Sequence, residues 1–302
     1  MNNLLVIIVT YNAMKWIDKC IGSIYLSTVK ADIFVVDNGS DDKTAEYIKS
    51  HFPSVILIES QENLGFGKAN NLGMKYALEN EYDYIYLLNQ DAWVMPDTFQ
   101  IMIEAHIKHP EYGILSPIQL TASMDRFDNN FARICRLEKR KCNLLENLFF
   151  HSGCVSDITC VMAAHWLISR QCLTKVGGFS PVFPHYDEDD NYAERVLYKG
   201  FKVGIVHEAK AVHDREYREY SNDFLMYKSY VDWIRLLSSV NKGSTTNPWL
   251  ACLKTALWLS VRFKSMKPLG YYMKLLKQKS SIKRFRLESY KDSAFLVDWN
   301  DA

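Results

Sequence analysis

Carboxylates recur in this chain where apolar runs end. Asp37 closes Ile33-Phe34-Val35-Val36, Asp91 follows Tyr86-Leu87-Leu88-Asn89-Gln90, and Asp187-Glu188-Asp189-Asp190 sets four acids side by side. A buried carboxylate without a partner is costly, so Asp37 calls for hydrogen-bond donors, such as those of a base or a ribose. The acidic run fits a helix N-terminus, where the dipole favours Asp and Glu, yet that accounts for only one or two of the four. His213, in Ala211-Val212-His213-Asp214, reads on its own as a histidine at a strand end.

These residues must be positioned by regular elements. Short β-branched runs at Leu4 to Val9, Asp32 to Val36, Val55 to Ile58 and Tyr84 to Leu88 alternate with helical patterns near 14–27, 41–50, 67–80 and 97–108. That alternation predicts a parallel sheet covered by helices on both faces, with right-handed crossovers. In open α/β sheets ligands sit beyond the carboxyl ends of the strands. Four successive strands end there in polar residues: Thr10-Tyr11-Asn12, Asp37-Asn38-Gly39-Ser40, Glu62-Asn63-Leu64-Gly65, and Asn89-Gln90-Asp91. Ser40 or Asp41 is expected to cap the following helix. Gly65-Phe66-Gly67-Lys68-Ala69-Asn70 lacks the third glycine of a dinucleotide fingerprint. It is either a flexible turn or a close backbone approach to phosphate at a helix start.

Further on, Thr121 to Cys154 shows no sustained period, as an insertion or a loop over the site would. A Gly177-Gly178-Phe179 turn, a helix near 188–199 and strands at 202–206 and 210–213 follow, and from Asp223 the chain reads as helices with turn signals at Lys242-Gly243-Ser244 and Lys267-Pro268. With 302 residues, 48% of them apolar, the chain can bury one large domain or a domain with an appendage. Its net charge of +1 hides an asymmetry: 11 of the 36 basic residues fall between Lys242 and Leu287, which contains no acid. Seven cysteines, an odd number with no CxxC pair, suggest reduced thiols in a cytosolic protein. The apolar run after Asn3 is too short for a signal peptide or a membrane span.

Together, IIVTYN, VVDNGSDD, NLGFGKANNLG, LLNQDAWV and GGFSPVFPHYDEDDNYAER resemble the family 2 glycosyltransferases, particularly the bacterial rhamnosyltransferase-like branch, over residues 4–215. The resemblance implies an α/β GT-A fold with a mostly parallel central sheet flanked by helices. Residues 1–215 would be the catalytic domain and 216–302 a basic helical extension. It also implies a donor site for a nucleoside-diphosphate sugar, dTDP-rhamnose or a UDP-sugar. Tyr11 and Asp37 would hold the base, with Thr10, Asn12 and Asn89 also at the nucleotide-sugar site, Asn63, Gly67 and Asn70 near the sugar and phosphates, and Asp91 as the last carboxylate of the Asp-x-Asp motif. Asn89 stands where the first Asp is usual, leaving Asp91 and His213 to hold a divalent Mn or Mg ion.

Asp189, beside Glu188, would be the general base of an inverting transfer. His165, Trp166 and Arg195 would lie near the acceptor, although a Trp in an apolar run can equally be core. The acceptor would be a glycan or a lipid-linked sugar of bacterial surface polysaccharide. The tail either packs as helices with a solvated basic face or meets an anionic membrane; nucleic acid is not expected, since no recognised module accompanies the charge. The enzyme would be cytoplasmic, peripheral at the inner face of the membrane if the tail binds there. A sugar-nucleotide nucleotidyltransferase would need a glycine-rich basic signature where Thr10-Tyr11-Asn12-Ala13 stands. A non-catalytic nucleotide-sugar binder would suit Asn89 but not the retained Asp91, Asp189 and His213.

Overall fold

The structure is a computed structural model that describes residues 3–137, 147, 154–215, 220–241 and 247–296. Its strands are β1 (Leu4–Thr10), β2 (Asp32–Asp37), β3 (Ile56–Glu59), β4 (Tyr84–Asn89), β5 (Ala92–Val94), β6 (Tyr112–Leu120), β7 (Val155–Ile158), β8 (His165–Ser169) and β9 (Lys202–His213). Helices α1 (Ile17–Tyr25), α2 (Thr44–His51), α3 (Phe66–Glu79) and α4 (Thr98–Lys108) follow the expected places, and α5 spans Asn129–Leu137. After them come α6 (Arg170–Val176), α7 (Glu188–Tyr198), α8 (Asn222–Ser238), α9 (Pro248–Arg262), α10 (Lys267–Lys277) and α11 (Lys279–Glu288). Most of the Thr121–Cys154 stretch beyond residue 137 and the Lys242-Gly243-Ser244 turn signal lie outside the described residues.

One sheet organises the molecule, in the order β3-β2-β1-β4-β8-β6-β9-β5, with β7 paired to β9. Its first half is the expected parallel array, β1 pairing with β2 and β4, and β2 with β3. The second half is mixed: β8 runs antiparallel to β4 and β6, β5 and β7 run antiparallel to β9, and β6 and β9 are parallel. The two short strands expected at 202–206 and 210–213 are one continuous strand, β9.

The apolar runs form strands because both sheet faces are covered. Side chains alternate across the pleat, so Leu5, Ile7, Phe34, Val36, Ile85 and Leu87 enter one core. Leu4, Val6, Ile8, Ile33, Val35 and Leu88 enter the other. Each such side chain, fully buried, contributes roughly 1.5–3 kcal/mol. A third cluster joins Val182 and Phe183, just before the acidic run, to Tyr230, Trp233 and Ile234 of α8 and to Cys252 and Leu259 of α9. The chain then returns: Leu296 packs into the first core and Ala294 accepts a hydrogen bond from Gly178 N–H at 2.8 Å.

Candidate active site

Strand register brings the polar ends together. Thr10 lies opposite Asp37 and Val9 opposite Asn89, so three strands finish at one edge. Thr10 Oγ1 donates to Asp37 Oδ1 at 2.7 Å, Ser40 Oγ donates to the same oxygen at 2.6 Å, and Ser40 N–H donates to Oδ2 at 2.9 Å. Asp37 is therefore satisfied within the protein, and Ser40 serves it rather than capping α2. The start of α2 is held by Asp42, whose Oδ1 accepts from Thr44 N–H at 3.0 Å. Asn12, in the left-handed region at φ 52°, ties the β1 and β2 loops by accepting from Asp41 N–H at 3.0 Å.

Gln90, given no role by sequence reasoning, clasps Tyr11: its Oε1 accepts from Tyr11 N–H at 2.7 Å and its Nε2 donates to Tyr11 O at 3.2 Å. Tyr11 itself stays 48% exposed.

Asp91 meets His213 because β5 pairs antiparallel with β9, with Ala92 opposite His213. Asp214 N–H donates to Asp91 O at 2.8 Å, fixing the junction. His213 Nε2 lies 3.4 Å from Asp91 Oδ1, and neither ring nitrogen completes a hydrogen bond among the described residues although the side chain is 1% exposed. Burial pushes the Asp91 carboxyl upward, but the His213 contact and then Arg215 outweigh it, and the net shift is downward. An ionised carboxylate beside a buried imidazole with unused nitrogens is a donor set suited to a divalent cation. Among the described residues no cluster of three or more His, Cys, Asp or Glu forms a closed metal cage. Two protein ligands suffice where a diphosphate and waters supply the rest.

The Asn63–Asn70 segment and the acidic run are neighbours. Asn63 Oδ1 accepts from Gly65 N–H at 2.9 Å, shaping the turn into α3, and Asn70 is buried with its amide on Phe66 O. Gly67 has a packing reason for lacking a side chain: an added Cβ would lie 3.0 Å from Phe179 Cβ and 3.9 Å from Glu188 Cβ. Asn71, also overlooked in the sequence, accepts from Phe179 N–H at 2.7 Å and donates to Phe179 O at 2.9 Å, locking α3 to the loop before the acids.

Tyr186 and Asp187 both take positive φ, at 71° and 64°, delivering Glu188 and Asp189 to the start of α7. Asp187 pairs with Lys228, and Arg235 reaches Asp190 Oδ2 at 2.8 Å and Asp187 Oδ2 at 3.7 Å; both cations come from α8. Among the described residues Asp189 forms no ion pair of its own, its Oδ1 accepting from Asp190 N–H at 2.9 Å. Burial first, and then the charges of Asp190 and Asp187, raise its pKa well above the ordinary 3.8. Burial and Asp189 raise Glu188 likewise, whose Oε2 is buried without a partner among the described residues. Cys160 Sγ donates to Asp190 Oδ1 at 2.7 Å, and Ala164 O accepts from Asn89 N–H at 3.1 Å, so residues 160–164 link the acidic run to the end of β4.

The three residues expected at the acceptor are all buried. Trp166 is fully buried, its Nε1 on Val161 O and its ring stacked on Phe179. Arg195 is also fully buried, donating to Val176 O at 2.9 Å and Gly178 O at 2.5 Å. His165 lies beneath the site between Tyr86 Oη and Val212 O, each at 3.0 Å, and burial, then His213, pushes its pKa down to about 3, so it is neutral. None of them offers surface to an acceptor; they are core and support, because an apolar strand and a helix interior enclose them.

Residues 5–162 match the family described as Glycosyl transferase family 2. The chain is 27% identical over 221 residues to "dTDP-rhamnosyl transferase RfbF" of Shigella flexneri, covering 70% of this chain and 69% of that protein. It is 28% identical over 122 residues to "N-acetylglucosaminyl-diphospho-decaprenol L-rhamnosyltransferase" of Mycobacterium tuberculosis, covering 37% of this chain and 40% of that one. Among solved structures, a mannosyltransferase from Pyrobaculum calidifontis in complex with GDP-Man and Mn2+ superposes with TM-score 0.59 at 18% identity, covering 92% and 75% of the two chains. Staphylococcus aureus TarS in complex with UDP gives TM-score 0.55 at 12% identity, covering 95% and 89%. The fold is GT-A.

Proposed function

The chain belongs to glycosyl transferase family 2, and from that premise we propose that it is an inverting, metal-dependent enzyme moving a sugar from dTDP-rhamnose or a UDP-sugar to a glycan or lipid-linked acceptor of bacterial surface polysaccharide. The observation that carries this reading is the Asp91–His213 pair, a carboxylate and a buried imidazole with two unused nitrogens at the edge where β1, β2 and β4 end. Cys20, Cys154, Cys160, Cys172 and Cys252 are unpaired, which agrees with a cytoplasmic site of action.

In this reading Asp37, held by Thr10 and Ser40, keeps acceptor capacity for the N–H of a base, and the exposed Tyr11 ring covers it. A divalent cation held by Asp91 and His213 would neutralise the diphosphate as it departs. Asp189 takes the proton from the acceptor hydroxyl. That oxygen bonds to the anomeric carbon while the bond from this carbon to the diphosphate oxygen breaks, its electron pair leaving with the diphosphate. Attack opposite the leaving group inverts the configuration, and no covalent enzyme intermediate is needed. The raised pKa of Asp189 suits a base, since an ordinary carboxylate is too weak an acceptor at neutral pH.

The test is donor turnover with a panel of nucleoside-diphosphate sugars and Mn or Mg. Asp189→Asn is expected to lower turnover at least about 100-fold while donor binding, read by thermal shift, persists. Turnover unchanged by the substitution removes Asp189 from its role.

A further inference from the structure

The C-terminal helices carry an outward face that the transfer chemistry does not use. On α9, Cys252, Ala256 and Leu259 point inward into the cluster shared with α8. The opposite side, at Leu250, Leu257, Trp258 and Val261, recurs at helical spacing and is exposed. Val261 is 81% exposed, and Met266, at the corner between α9 and α10, is 73% exposed. Large apolar side chains this bare, clustered on one corner, mark an interaction surface.

The surrounding charge is mostly positive, the acid at this corner being Asp223 of α8, paired with Lys267 at 2.5 Å. Lys254, Arg262 and Lys264 flank the stripe, and from Asn247 to Leu287 the sequence holds ten Lys or Arg and no acid. The Arg262 guanidinium lies 5.0 Å from the Trp258 ring centre, an aromatic and cation together, as at a membrane interface. No helix of the described residues is long and apolar enough to cross a membrane. An apolar stripe rimmed by cations is instead the pattern of a helix lying in the headgroup region.

We propose that the α9–α10 corner docks on an anionic phospholipid bilayer, with Leu257, Trp258, Val261 and Met266 entering the interface and Lys254, Arg262 and Lys264 meeting lipid phosphates. This deepens, and rests on, the reading of the acceptor as lipid-linked. α8 lies between the two functions: one side grips Asp187 and Asp190 through Lys228 and Arg235, the other packs on α9. A docked α9 therefore sets the catalytic acids at a fixed position relative to the bilayer.

The experiment is co-sedimentation of the full chain with vesicles of phosphatidylcholine alone or with three-tenths phosphatidylglycerol, at low and high salt. Turnover of soluble donor is measured in parallel, so failure of docking and failure of the glycosyltransferase reading are separable. Binding to the anionic vesicles at least about tenfold tighter than to neutral ones, weakened by salt, is expected. Val261→Asp with Met266→Asp is expected to abolish it while circular dichroism and soluble turnover stay at the parent level. Trp258 fluorescence should shift to the blue on binding. Equal partition to both vesicle types, or binding that survives the double substitution, overturns the proposal. Sedimentation velocity showing that the apolar corner instead joins two copies of the chain overturns it as well.

Discussion

His213 stands out because its environment makes no sense for a structural histidine. A buried imidazole ordinarily donates one N–H and accepts at the other nitrogen, as His165 does between Val212 O and Tyr86 Oη. Among the described residues His213 does neither, and it sits beside an ionised carboxylate. Its replacement by Ala is expected to raise the Mn concentration needed for half-maximal stabilisation of the protein–nucleoside diphosphate complex at least about tenfold, a loss that even outer-shell partners of metals produce. Thermal melts across a Mn titration check this, and a midpoint that does not move excludes His213 as a ligand. Asp189 carries a second prediction. Because a general base works only when ionised, and burial with the Asp190 and Asp187 charges raises its pKa above the ordinary 3.8, kcat/KM should fall as pH drops through a limb well above that value. A profile flat down to pH about 5 contradicts the assignment.

Loops and helix starts hold the site through close backbone approaches. Gly177, at φ 83°, leaves no room for a side chain: an added Cβ would meet Ala294 O at 2.0 Å and Ala294 N at 2.3 Å. Gly200 has a similar φ of 86° with nothing within 4 Å, which makes it a control. Gly200→Ala is expected to cost about 1 kcal/mol, the strain of a left-handed alanine. Gly177→Ala should cost at least about 2 kcal/mol more, because it must also displace backbone at Ala294 and with it Leu296 from the core. Urea unfolding of the two variants measures the difference, and equal losses mean that the returning segment contributes nothing to stability.

At the scale of the whole molecule, α8 is bound to the acidic run through Lys228 and Arg235 rather than merely appended to it. Arg235 bridges Asp187 and Asp190, which flank Asp189. Removing that cation leaves two negative charges less compensated beside Asp189 and disfavours its ionised form. Arg235→Ala is thus expected to move the acid limb of kcat/KM to higher pH and to lower kcat several-fold with donor KM little changed, whereas Arg235→Lys restores the limb in part. A loss confined to stability, with the parent pH profile, assigns Arg235 to packing alone. A division of function near residue 215 remains our proposal for the domain arrangement, with α8 as the element joining the two parts.

Much of this was legible along the chain, and for a physical reason. Apolar runs such as Leu4 to Val9 fit a strand enclosed on both faces, and the polar residues ending those runs must then share an edge, so Thr10, Asp37, Asn89 and Asp91 fall together. The helices at 44–51 and 66–79 follow from the same patterning. What the chain order conceals is partnership across distance. Trp166 and Arg195 have the residue types of a sugar site, but packing encloses them, and no local pattern distinguishes a stacking Trp from a core Trp. Gln90 on Tyr11, Asn71 on Phe179 and Arg235 on Asp190 span between 45 and 108 residues. The antiparallel turn of β5 onto β9, which brings Asp91 to His213, left no periodic signal either. Local sequence sets which segments bury which face. Long-range pairing sets which charges meet, since a buried charge is stable only where the fold supplies its partner.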